Sequence, residues 1–227
     1  MDRGTTFFVG QLGMLSDRQL ADSSRLPDWT RLHIVSHMAR NARALMNLLR
    51  WAETGVESPM YSSPEHRRAD IEAGASLPAA EVRADALAEA GRLRSAIDGL
   101  PDDAWASEVR TALGYPVPAS EVPWMRVREV WVHAVDLGAG ADFSDIDEQV
   151  AGVLFEEAAE RFAGRDDCPP TVLVTDDGGR RFEIGPASAS PARVTGSTHA
   201  LAGWLLGRTG GSGLEAAGPL PELPTWM

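Results

Sequence analysis

The chain contains no lysine, and all 21 of its basic side chains are arginine. That excludes Schiff-base chemistry on a lysine amine. Cysteine is almost as scarce. The single Cys168, in "DDCPP", rules out an internal disulfide framework and a Cys-rich zinc site. Its neighbours Asp166 and Asp167 disfavour a thiolate, so it is not expected to act as a nucleophile. No apolar run approaches the ~18–20 residues of a membrane span. The opening "MDRGTTFFVG" also lacks a basic segment followed by a signal-type apolar core. The expectation is a soluble cytoplasmic protein without a membrane partner. Positive charge is short as well: 33 acidic against 21 basic residues give a net charge of −12. A nucleic-acid surface needs a basic footprint, so nucleic acid is not an expected partner.

Within 227 residues, 44% of them hydrophobic, there is material for one large domain or two modest ones. A first helix is expected over 5–21, interrupted by Gly10 and Gly13. A long second helix spans roughly 30–53, with Asp28 or Thr30 as N-cap and Gly55 as stop. Its core face is Ile34, Met38, Ala42, Leu45 and Leu49. The stretch "GVESPMYSSPEHRR" is expected to be a loop before a third helix near 78–98, and a proline-bearing crossover leads to a fourth over 122–140. Four helices make a bundle the natural architecture. Beyond "DLGAGADFSD" the pattern changes. A helix at about 145–163 precedes the short strand-like runs "TVLVTDD", "RRFEIG" and "ARVTG"; a last helix, "STHALAGWLLGR", precedes a loose tail. The overall class is therefore α+β, a four-helix bundle followed by a small α+β domain. The boundary falls near 140–150 and is drawn as 1–142 and 143–227.

The fourth helix, "VPWMRVREVWVHAVDLGAG", is apolar almost all the way round. Its polar residues Arg126, Glu129, His133 and Asp136 recur at three- or four-residue spacing and share one narrow stripe. The second helix carries His33 and His37, also four apart, and either or both can face the bundle interior. Two imidazoles and a carboxylate from two packed helices suit a zinc-type divalent cation with an open coordination position. The same Glu-x-x-x-His spacing also suits a solvated ion pair. The apolar surroundings weigh toward the metal, since a buried carboxylate and imidazole are costly unless paired or coordinated. His66 and His199 are expected at a surface loop and a helix start, away from any metal. The glycine run "GRTGGSG" lacks the Lys-Ser/Thr of a phosphate loop and is expected to be a helix C-terminal loop. Arg208 within it offers a bidentate fork to an anion.

Taken together, "DWTRLHIVSHMARNARALMNLLRWAETGVESPMY", "VPASEVPWMRVREVWVHAVDLGA" and "LAGWLLGR" resemble the mycothiol-dependent maleylpyruvate isomerases of actinobacteria. The resemblance extends over nearly the whole chain. It implies a DinB-like metal-binding bundle and a C-terminal α+β domain contributing a catalytic arginine. The family's metal ligands map onto His37, Glu129 and His133, and its catalytic arginine onto Arg208. Zinc, or another divalent metal, and mycothiol are the implied cofactors; a dianionic small molecule is the implied substrate, handled by a monomer or small homo-oligomer. The implied reaction is cis–trans isomerisation of maleylpyruvate to fumarylpyruvate in aromatic catabolism. Thiolate addition to the conjugated alkene makes that bond single, rotation follows, and elimination restores it as trans. Arg126 and Asp136 become candidates to orient a ligand. Two other readings use the same residues: a mycothiol S-transferase acting on another electrophile, and a non-catalytic zinc-stabilised bundle with a closed four-ligand site.

Overall fold

The computed structural model describes residues 1–226, which divide into two compact units, Met1–Gly140 and a second that begins at Ala141. The first unit is helical. It contains α1 (Asp2–Gly13), α2 (Asp17–Leu20), α3 (Arg31–Thr54), α4 (Pro64–Ala75), α5 (Ala79–Gly99) and α6 (Val122–Asp136). α3 packs against α5, α4 and α6, and α1 packs against α6, so the long helices α1, α3, α5 and α6 make the expected bundle. All five residues expected on the core face of the second helix are buried in α3. That helix ends where Gly55 takes a left-handed φ of 69°, a conformation open to glycine at little steric cost.

Three local expectations need correction. The first helix breaks in two at Met14–Ser16. The reason is Ser16, which exchanges hydrogen bonds with Gln19 as a capping box and starts α2 afresh. The stretch expected as a loop contains α4, where Ser63 Oγ accepts from the His66 backbone N–H and Pro64 occupies the first turn. The crossover after α5 is partly ordered, as an antiparallel hairpin of β1 (Glu108–Arg110) and β2 (Pro116–Pro118). Val109 of this hairpin joins Leu45, Leu48, Leu49, Leu93 and Val122 in one apolar cluster. Gly74 lets α4 lie close on α3. A Cβ there would collide with Ser36 Oγ and the Arg40 guanidinium, while Ser36 Oγ itself donates to the Ile71 carbonyl at 2.7 Å.

The second unit places α7 (Glu148–Phe162) and α8 (Thr198–Leu205) with a four-stranded sheet. Its strands are β3 (Thr171–Thr175), β4 (Arg181–Ile184), β5 (Ala192–Gly196) and β6 (Leu214–Ala216), in the order β4-β3-β5-β6. β3 and β5 run parallel, with Leu173 opposite Val194, and the outer pairs are antiparallel. β3 is buried along nearly its whole length, as a central strand should be. Phe155, Phe162, Leu173, Val194 and Leu201 fill the core. The tail expected to be loose thus supplies an edge strand, β6. No helix among the described residues is long and apolar enough to cross a membrane.

Candidate metal centre

α6 is set against α3 by Arg126. Its buried guanidinium donates to the Met38 carbonyl at 3.0 Å and to Asn41 Oδ1 at 2.7 Å. One turn further along α6, Glu129 faces His37 of α3. His37 Nε2 lies 2.8 Å from Glu129 Oε2, and His133 Nε2 lies 3.3 Å from the same oxygen. The donor atoms of His37, Glu129 and His133 all fall within 4.8 Å of one another. The two imidazoles meet edge to face, with centroids 4.9 Å apart, and Trp29 packs edge-on against His37 at 5.7 Å. The His37 side chain is 4% exposed, but Glu129 keeps 19% and His133 12%, so the cluster opens to solvent on the α6 side. Two imidazole nitrogens and one carboxylate oxygen would fit a divalent cation of the zinc type, with His133 giving up its proton as it binds, and leave room for a further ligand.

Electrostatics set the three groups apart. Burial pushes His37 down to about 4 against the pull of Glu129, so its imidazole is neutral, with Nε2–H donating to Glu129 in this structure. Burial acts the same way on His133. There the bonds to Asp136 and Glu129 outweigh it and lift the group to about 9. Burial would raise Glu129, yet the two histidines hold it well below the usual carboxylate range. Without a metal, the His133 proton neutralises Glu129; a bound cation would take over that role.

Asp136 does what its place on the stripe suggested. Its Oδ2 lies 2.9 Å from His133 Nδ1, which turns Nε2 toward the cluster. Arg126 instead ties the two helices together. His33 is engaged elsewhere: its Nδ1 accepts from the Thr30 backbone N–H at 3.2 Å, so Nε2 carries the proton offered to Glu72 Oε2 at 3.0 Å. His66 is exposed beside Asp70 on α4, and His199 donates to the Ile146 carbonyl at the start of α8. Cys168 is buried, and burial first, then Asp167, pushes its thiol up. Arg208 follows α8, where Gly207 turns with a φ of 67°. Its Nη1 donates to the Leu206 carbonyl, and it lines a cavity of about 750 Å³ with Trp204, Thr209, Leu220, Glu222 and Trp226.

Two neighbours of the centre escaped the sequence reading. Arg67 of α4 reaches within 3.4 Å of His37 Nδ1, and its guanidinium lies 5.5 Å from the Tyr61 ring centroid. The signal was present in "SSPEH", whose Ser-Pro pair is a helix start. A helix beginning there brings Arg67 round onto the α3 side.

Comparison with known proteins agrees along the whole chain. The family model described as the mycothiol maleylpyruvate isomerase N-terminal domain matches residues 1–138, and the MDMPI C-terminal domain matches residues 145–225. A crystal structure of a mycothiol-dependent maleylpyruvate isomerase is 39% identical, with a TM-score of 0.92. A histidine-to-alanine variant of the enzyme so named is 38% identical, with a TM-score of 0.95. Each alignment covers 99% of this chain and 93% of the other. No curated protein matches.

Proposed function

Because the chain belongs to the mycothiol-dependent maleylpyruvate isomerase family, we propose that it isomerises maleylpyruvate to fumarylpyruvate, using a low-molecular-weight thiol and a zinc-type cation held by His37, Glu129 and His133. The observation that carries this reading is the convergence of those three donors within 4.8 Å, in a chain similar from end to end to solved isomerases. A cation held there supplies Lewis acidity that favours the ionised form of a thiol. The thiol supplies the nucleophile whose reversible addition frees the alkene to rotate.

The protein's own residues prepare for both. Burial keeps the His37 imidazole neutral, so it coordinates without first losing a proton. Asp136 fixes the His133 ring, and Glu129 contributes negative charge that offsets the cation. Three protein donors with Glu129 and His133 partly exposed suit a catalytic site better than a closed structural one. Cys168, buried and held protonated, does not substitute for the external thiol, and Cys168→Ser keeps most activity. Arg208 is the residue we assign to a substrate carboxylate and to the negative charge that develops on addition. Its loss in Arg208→Ala lowers kcat/KM about a hundredfold or more, as for loss of one oxyanion donor, with metal content unchanged. Arg208→Lys restores part of this, because a point charge cannot replace the bidentate fork.

The deciding experiment is a maleylpyruvate assay of the purified protein with and without mycothiol, before and after chelation. Activity that requires both thiol and metal supports the reading. Turnover without thiol, or none with both supplied, sinks it. We assign the chain to the cytoplasm, because that is where a small intracellular thiol is available to it.

A further inference from the structure

The two histidines of the centre differ in what stands behind them. The second ring nitrogen of His133 meets an acceptor, Asp136 Oδ2, at 2.9 Å. That of His37 accepts from Nη2 of Arg67 at 3.4 Å while Nε2–H donates to Glu129 Oε2 at 2.8 Å, an arrangement that coordination through Nε2 would undo. A histidine that offers Nε2 to a cation carries its proton on Nδ1, and that N–H needs an acceptor. A guanidinium has five donors and no acceptor. In the metal-ready form, two donors therefore confront each other with nothing to receive either proton.

Most arginines on these helices pair with a carboxylate, whereas Arg50 donates to Ser58 Oγ and Arg126 to the Met38 carbonyl and Asn41 Oδ1. Arg40 and Arg43 both pair with Asp85, Arg43 also with Glu89, and Arg83 with Asp17 and two carbonyls. Arg67 has no carboxylate partner among the described residues, although acids outnumber bases 33 to 21 in the chain. Its contacts are the His37 ring and the face of Tyr61, and it sits in the first turns of α4, where the helix dipole disfavours a cation. A half-buried guanidinium placed this way lacks an anion. A carboxylate supplies what both groups lack, since one oxygen can accept from the Arg67 fork and the other from His37 Nδ1–H.

We propose that Arg67 and His37 Nδ1–H form a carboxylate subsite beside the metal centre, which takes one of the two carboxylates of the dianionic substrate. The inference rests on the isomerase reading for the identity of that substrate. It assigns His37 two duties, with Nε2 toward the cation and Nδ1–H toward the substrate. Arg67 is then a substrate-binding residue, and Tyr61 positions it by packing under the guanidinium.

The test uses the zinc-loaded full chain, with maleate as the probe and calorimetry as the readout. Arg67→Met keeps an apolar stem over Tyr61 but removes the fork, and Arg67→Lys keeps the charge alone. Maleate affinity is expected to fall at least tenfold in Arg67→Met and by less in Arg67→Lys. The KM for maleylpyruvate rises in parallel while the KM for the thiol stays constant. Zinc affinity in Arg67→Met equals or exceeds that of the parent protein, because a cation beside His37 has gone. Loss of zinc binding would make Arg67 a support for His37 and overturn the proposal. So would unchanged maleate affinity in Arg67→Met, failure of the parent protein to bind maleate, or a raised thiol KM in place of a raised maleylpyruvate KM. If the parent protein lacks isomerase activity the functional reading fails, and the maleate titration still decides the subsite by itself.

Discussion

Along α3 the residues facing neighbouring helices change character midway. In the N-terminal half, Ser36, His37 and Asn41 are buried, and each is held by a polar partner on α4 or α6. In the C-terminal half, Ala42, Leu45, Leu48, Leu49 and Ala52 belong to a purely apolar cluster with α5, α6 and the hairpin. Buried polar groups cost free energy unless satisfied, and their net contribution when satisfied is modest. Buried leucines contribute about 1.5–3 kcal/mol each. One unbroken helix therefore separates cohesion from chemistry. Its apolar half holds the bundle together, which leaves the polar half free to carry a cluster suited to a ligand.

The strongest way to break this comparison is to remove a ligand. His37→Ala should abolish stoichiometric zinc binding while the far-ultraviolet circular dichroism stays that of the parent, and chelation should likewise leave a folded protein. Cooperative unfolding on chelation would make the metal structural and favour the non-catalytic zinc-stabilised bundle. The complementary change is Leu45→Ala, at a fully buried position. It should cost about 2–5 kcal/mol in denaturant unfolding, with one zinc still bound per folded chain.

Asp136→Asn sharpens the contrast from the α6 side. Loss of the carboxylate behind His133 should weaken zinc about 10–100-fold in competition titrations, with little change in fold. An unaltered zinc affinity would mean that the His133 ring is fixed by packing alone. The smallest effect is expected at His33, which serves the start of α3. His33→Ala removes a hydrogen bond to the Thr30 N–H and should cost about 1 kcal/mol, with metal retained. Metal lost here and kept in His37→Ala would transfer the ligand role to His33.

The long elements were legible because their burial is periodic. α3, α6 and α7 each present buried residues three and four apart, and β3 is a short apolar run between turns. The elements that escaped have little to bury. α4 hides only Ile71 and Gly74, and β6 is a three-residue edge strand with no fully buried residue. Their order comes from what they lie against, through the Gly74 approach to α3 in one case and the pairing with β5 in the other. Local periodicity carries no record of either.

The candidate site divides along the same line. The sequence by itself determined that Glu129, His133 and Asp136 share a stripe, because 3.6 residues per turn leaves no other arrangement. It equally determined that nothing here can act as a lysine or disulfide centre; its spacing left His33 and His37 open, and the family resemblance pointed to His37. Only the tertiary structure brought His37 to Glu129 across 92 residues of chain, committed His33 to Thr30 and Glu72, and set Arg67 against the far side of the His37 ring. The reason is physical. Helical spacing fixes which side chains lie on one face, but which two faces meet is decided by how whole surfaces pack, and no single helix contains that information.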